Sequence, residues 1–131
     1  MTINYVKTPD DKKLFSFHRH DYNEELGTFI DGGFDYTRTN SEVFQGTIEE
    51  LIGEIRAQFQ WTSILNKDGS LKSKAVTKYL FELDSDHLVA ILQHMFSDPK
   101  KFTYYNDNPT ANGTINILLA EIKYRFKHGI S

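Results

Sequence analysis

The chain has 131 residues, a formal net charge of -3 and no cysteine. Hydrophobic residues make up 39% and aromatic residues 14%, which excludes an intrinsically disordered chain and provides material for a core. The lack of cysteine excludes disulfides, thiol nucleophiles and thiolate-bound metals. The net charge argues against a nonspecific nucleic-acid binder, because such proteins are usually strongly basic.

The sequence also indicates whether the chain has a targeting segment and how many domains it forms. The N-terminal stretch MTINYVKTPDDKK has no apolar run after a basic start, so no signal peptide is predicted. No stretch approaches the roughly 18 apolar residues of a membrane span. We therefore expect a cytoplasmic protein without membrane contact. We expect one domain over residues 1–131, with a β-rich part over 1–45 and a helical part over 46–131.

Alternating polarity predicts the β-rich part. Residues 13–22, KLFSFHRHDY, alternate as a strand does. The following NEELG is a hairpin connection, and TFIDGGFDYTRT is the returning strand. The Gly-Gly pair inside the returning strand indicates a bulge or a sharp bend. A further short strand over residues 3–7 would complete a small antiparallel sheet.

Helical periodicity predicts the rest of the chain. Residues 46–61 form the first helix, with Thr47 as N-cap and Glu50 three residues later in a capping box. A second, weaker helix is predicted over residues 72–81. A third begins at residue 84 or 85 and ends before Pro99, because the residue before a proline disfavours helix.

The last predicted helix covers residues 114–129 and ends at Gly129, a typical C′ residue. Its C-terminal end carries cations, which the helix dipole favours there. Its apolar face is predicted to contain Ile115, Leu118, Leu119, Ile122 and Phe126. The resulting fold class is α+β, with a small N-terminal antiparallel hairpin or sheet packed on three to four C-terminal α-helices.

Charged and aromatic residues crowd into residues 18–36, HRHDYNEELGTFIDGGFDY. The interpretation we favour for the Asp and Arg residues of this segment is an ion-pair network that clamps the Gly-Gly bend, since such networks commonly mimic active sites. The hairpin is then either this structural clasp or the recognition surface of the protein. The long loop after residue 99 is the second predicted contact surface. The predicted binding residues are Arg19, Tyr22, Asp31, Gly32, Gly33, Tyr36, Arg38, Tyr104 and Tyr105.

An enzyme is the alternative interpretation of the same cluster. His20 would act as general base, Asp35 would orient it, and Arg38 would hold a phosphate. The sequence has no P-loop, serine elbow or HExxH motif. The catalytic candidates on this interpretation are His18, His20, Asp21, Asp35 and Arg38.

A metal site is a third interpretation of the same cluster. His18 and His20 lie two apart on a predicted strand, so their side chains would point the same way, with Asp31 or Asp35 as a carboxylate ligand. Only two histidines are near, and no third ligand has diagnostic spacing. We therefore predict no metal and no cofactor.

The hairpin segment resembles a pattern in small uncharacterised proteins of tailed bacteriophages. The pattern is roughly Arg/Lys-His-Arg-His-Asp-aromatic, a short hairpin, then Ile/Val-Asp-Gly-Gly, Asp-Tyr and Arg. Some of those proteins carry cysteine pairs around the hairpin, as a zinc ribbon does, and this chain has none, so no zinc site is carried over. The matching positions here are residues 18–22, residues 30–33, Asp35, Tyr36 and Arg38.

The resemblance implies a phage accessory protein that acts in the bacterial cytoplasm. We expect it to bind and modulate or inhibit a host protein, in defence or in transcription and replication, without catalysis. The alternative is a small metal- or phosphate-dependent hydrolase or nucleotide-acting enzyme centred on the hairpin. Direct nucleic-acid binding through the basic last helix is less favoured at this net charge. The sequence does not fix the oligomeric state.

Overall fold

The structure is a computed structural model of the chain and describes residues 1–17, 20–23, 28–31, 42–65, 70–97, 100 and 109–130. It has an α+β fold, as predicted. The described strands are β1 (Thr2–Lys7), β2 (Lys13–Phe15), β3 (His20–Asn23), β4 (Thr28–Asp31), β5 (Phe44–Thr47), β6 (Gln60–Leu65) and β7 (Leu71–Tyr79). The described helices are α1 (Ile48–Ile55), α2 (Ser85–Met95) and α3 (Pro109–Lys127), with a 3₁₀ turn at Leu80–Glu82.

A three-stranded antiparallel sheet has the order β2-β1-β5. Val6 pairs with Leu14 on one side of β1, and Tyr5 pairs with Phe44 on the other. The predicted strand near residues 3–7 is therefore confirmed as the centre of this sheet. Ile3 is wholly buried and belongs to the main core cluster, so one face of the sheet packs against the core.

The predicted strand over residues 13–22 is wrong as a single element. It is divided between β2, which pairs with β1, and β3, which pairs with β4. The physical reason lies between them, where the side chains do not alternate in burial. Leu14, Phe15, Ser16 and Phe17 are all buried, so the chain leaves the sheet and enters the core. There the Phe17 ring packs edge-on against Phe59 at a centroid distance of 5.2 Å.

Helix α1 begins where the capping signal predicts. The Thr47 side chain accepts a hydrogen bond from the Glu50 backbone N–H at 3.1 Å. The helix ends at Ile55 and does not continue through Trp61 as predicted. The chain changes direction after the helix. The Phe59 carbonyl then accepts a hydrogen bond from the backbone N–H of Leu80, which directly follows β7. Phe59 is buried in the connection just before β6 begins at Gln60, and not on a prolonged helix.

The weak helix predicted over residues 72–81 is wrong, because residues 72–79 belong to β7 and the last two belong to the 3₁₀ turn. This strand pairs antiparallel with β6, with Gln60 opposite Tyr79 and Thr62 opposite Thr77. Almost every residue of β7 is exposed, so a helix here would have no apolar stripe to bury. β-branched and aromatic residues suit a strand instead. The part over 46–131 is thus not purely helical.

Helices α2 and α3 complete the C-terminal part. Helix α2 begins after Asp84, as predicted. Helix α3 starts at Pro109, five residues before the predicted start. Its end is confirmed, because Gly129 has a φ of +66° and the Ile130 N–H donates to the Arg125 carbonyl at 2.8 Å. This left-handed glycine closes the helix in a Schellman motif.

The buried face of α3 is rotated from the predicted one. Ile117, Leu118 and Glu121 are wholly buried, whereas Leu119 is 45% exposed and Phe126 is 90% exposed. A charged residue therefore occupies the centre of the buried face, and two large apolar residues lie outside. The core joins the N-terminal sheet to all three described helices through Ile3, Phe15, Ile55, Leu88 and Ile117.

Candidate functional site

The predicted polar hairpin exists in its central part. Strands β3 and β4 are antiparallel, with His20 opposite Asp31 and Tyr22 opposite Phe29. Residues that face each other in such a pair are nearest cross-strand neighbours. The register therefore brings together two of the predicted site residues, His20 and Asp31, and places Asp21 one position along from His20.

The remaining predicted site residues lie outside the part of the chain that the structure describes. They are His18, Arg19, Gly32, Gly33, Asp35, Tyr36, Arg38, Tyr104 and Tyr105. The ion-pair network at the Gly-Gly bend, the recognition surface and the hydrolytic site therefore stay predictions.

Among the described residues, no group of three or more His, Cys, Asp and Glu side chains is arranged to hold a metal ion. Within the same residues, no helix is long and apolar enough to cross a membrane.

A buried charge cluster is the feature that the sequence did not reveal. The Glu121 carboxylate is wholly buried and accepts hydrogen bonds from Arg56 Nε at 2.8 Å and Arg56 Nη2 at 3.0 Å. It also accepts from Arg125 Nε at 2.7 Å. The hydrogen bond to Glu121 raises the pKa of Arg56. Arg56 follows the last turn of α1 and Glu121 lies on α3, so this ion pair joins the two helices.

The rest of the Arg125 guanidinium binds elsewhere in the fold. It donates to the Leu80 carbonyl at 3.0 Å and to Ser85 Oγ at 3.1 Å. The Arg56 guanidinium lies 4.5 Å from the centre of the Tyr124 ring. These donors are directed at neighbouring parts of the same chain, so we assign the cluster to structure and not to chemistry on a ligand. The Glu121–Arg125 spacing of four residues was a visible signal of the pair, though not of its burial.

An open groove of about 380 Å³ lies between the turn after β1 and the outer side of α1. Within it, Lys13 Nζ contacts Glu54 Oε1 at 3.0 Å, which raises the pKa of Lys13. The Gln58 side chain donates to the Lys13 carbonyl at 2.6 Å and accepts from the Phe15 N–H at 3.2 Å. These polar groups are therefore paired with one another across the groove.

The exposed side of α3 is the candidate binding surface. Leu119 and Phe126 lie two helical turns apart on one side, with Lys123 and Lys127 beside them. Phe126 is 90% exposed, an unusual state for the largest apolar side chain of the helix. Lys123 is partly held by Glu49, 3.8 Å away. We call these four residues the α3 outer face.

Comparison with protein-family profiles, with curated proteins and with solved structures found no match.

Proposed function

We propose that the chain is a binding protein of phage origin, which modulates or inhibits a host protein in the bacterial cytoplasm without catalysis. The observation that supports binding is the α3 outer face. The phage origin is supported by the resemblance of the hairpin segment. The target class is host defence, transcription or replication.

Phe126 is left in water at a cost in free energy. Burying a phenylalanine side chain contributes about 1.5–3 kcal/mol, and within the chain this gain is not realised. A partner that covers Phe126 and Leu119 would obtain it. Aromatic anchors surrounded by a polar rim are typical of protein interfaces. Lys123 and Lys127 would select a partner with acidic groups around an apolar pocket.

The polar hairpin is the second proposed contact surface. A two-stranded hairpin is marginally stable alone, so β3 and β4 need support from the fold or from a partner. Arg19, Tyr22 and Tyr36 are the proposed contacts on this hairpin, and Tyr104 and Tyr105 extend the surface.

A capture experiment tests this function. The tagged chain would be incubated with bacterial lysate beside a Leu119→Gln/Phe126→Gln variant, and bound proteins would be identified by mass spectrometry. Val89→Gln is the matched control, because Val89 is also 45% exposed but lies on α2. We expect one stoichiometric protein to be held by the wild type and the control, and lost by the double variant. Equal capture by all three would move the interface away from α3, and no capture would contradict a binding role.

One observation favours the enzymatic alternative, a small metal- or phosphate-dependent hydrolase or nucleotide-acting enzyme. The backbone register sets His20 opposite Asp31, and histidine and aspartate are the residue types of a general base and of a carboxylate that orients it. The test is hydrolysis of nucleotides and of a phosphodiester with added divalent cations. Activity lost in His20→Asn but kept in His94→Asn, a histidine on α2, would favour the enzyme over the binding protein.

A further inference from the structure

The ribbon formed by β6 and β7 carries a charge that the whole-chain value conceals. Residues 60–79 contain four lysines and one aspartate, although the chain as a whole has 15 basic and 18 acidic residues. Lys72, Lys74 and Lys78 all lie on β7. A positive strip therefore follows one strand of an acidic protein.

The three lysines of β7 differ from several other lysines of the described chain in forming no salt bridge there. Elsewhere, Lys7 is paired with Asp11, Lys13 with Glu54 and Lys123 with Glu49. Among the described residues, no salt bridge is formed by Lys72, Lys74 or Lys78. Their charges are therefore available to an anionic ligand at little cost in broken contacts.

An aromatic platform lies at the end of the same strand. The rings of Tyr79 and Phe81 are stacked, with centroids 6.0 Å apart and planes 12° from parallel. They are 39% and 49% exposed, so neither ring is covered by the core. The Tyr79 N–H is held by the Glu82 carboxylate at 2.9 Å, which fixes the backbone where β7 ends.

Lysines along an exposed strand, followed by exposed stacked rings, match the requirements of one class of ligand. Single-stranded nucleic acid offers regularly spaced phosphates and unpaired base faces that stack on aromatic side chains. A duplex hides those faces, and an acidic protein offers the charge without the bases. We propose that β7, together with Tyr79 and Phe81, binds single-stranded nucleic acid. This proposal is independent of the α3 outer face.

Fluorescence anisotropy with a labelled strand of 20 thymidines tests the proposal on the full chain. Three phosphate contacts predict a slope of log K against log salt of about -2, hence roughly a 20-fold weaker binding between 50 and 200 mM salt. Lys72→Gln/Lys74→Gln/Lys78→Gln should weaken binding at low salt and flatten that slope. Tyr79→Leu/Phe81→Leu should weaken binding about tenfold or more with the slope unchanged.

The matched control removes three lysines around β1 and β2, away from β7 and from the α3 outer face, in Lys7→Gln/Lys12→Gln/Lys13→Gln. This control has the same net charge as the β7 variant and should keep most of the affinity. Each variant is first checked by thermal unfolding, so that a misfolded chain is recognised and replaced by the single substitutions. Equal losses in the two triple variants would overturn the proposal. So would tighter binding of the duplex, or equal displacement by polyglutamate, which would indicate an acidic protein partner.

Discussion

Arg125 Nε donates to Glu121 Oε2 across 2.7 Å, and the two side chains are 5% and 0% exposed. Because Arg56 binds the other oxygen of the same carboxylate, one buried anion serves two cations from elements that are distant in sequence. Removing one partner of a buried ion pair is costly, because the remaining charge stays buried with neither a counter-charge nor water to solvate it. The cluster is therefore a fastening point of the fold.

The first prediction concerns this fastening. Glu121→Gln leaves both guanidinium groups without their anion and is expected to lower the free energy of unfolding by about 3–5 kcal/mol. Urea denaturation followed by circular dichroism measures the change. Glu49→Gln is the control, because the exposed Glu49–Lys123 contact at 3.8 Å should contribute at most about 1 kcal/mol. Similar losses of unfolding free energy in both variants would show that the burial of Glu121 does not determine the size of the loss.

Two glycines should respond in opposite directions to alanine. A Cβ at Gly53, inside α1, would meet nothing within 4 Å, so Gly53→Ala should stabilise by about 0.5–1 kcal/mol. A Cβ at Gly46, in β5, would lie 2.8 Å from Leu51 Cδ1, which is held in the core. Gly46→Ala should therefore destabilise by about 1–3 kcal/mol. Thermal unfolding of both variants measures these changes. A melting temperature of Gly53→Ala below that of the wild type would contradict the predicted stabilisation.

The start of α1 provides the third prediction. Thr47→Ala removes the side-chain acceptor for the Glu50 N–H and should lower the free energy of unfolding by about 1 kcal/mol. Thr47→Ser keeps a hydroxyl at the same position and should stay within a few tenths of the wild type. Chemical denaturation measures both. An equally large loss in the serine variant would assign the effect to the methyl group and not to the cap.

Features encoded by neighbouring residues could be predicted from the sequence. The Thr47 cap, the Gly129 helix end and the β3–β4 hairpin depend on a few consecutive residues each. The conformation of residues 71–79 does not, because lysine, alanine and leucine there allow a helix, and pairing with β6 decides for a strand. Tertiary pairing outweighed local propensity at this point.

The same distinction applies to the candidate sites. Arg125 was predicted only as a cation near the end of a helix, because nothing local indicates that Arg56 would meet Glu121 from 65 positions away. Glu121 is buried where Arg56 binds it, and Phe126, on a different side of α3, is exposed. Which side of α3 is buried therefore depends on contacts that are distant in sequence. The hairpin site was visible from its composition, and the structure adds the His20–Asp31 register.

The turn after β1 should make stability depend on acid. The Thr8 hydroxyl donates a hydrogen bond to the Asp10 carboxylate, which lowers the pKa of Asp10. The unfolded chain has the ordinary value of about 3.9, so this contribution is fully present above that pH. It is lost as the pH falls through the lower value of the folded protein. Asp10→Asn should therefore be less stable than the wild type near neutral pH, with the difference narrowing in acid.

Urea midpoints between about pH 2 and pH 6 check this prediction. Glu42→Gln is the control, because it removes one exposed negative charge without touching the turn. If the control loses stability with the same pH dependence, the effect belongs to the net charge of the chain. If only Asp10→Asn does so, the Thr8–Asp10 hydrogen bond is its source, since the two variants differ in that contact and share the change in charge.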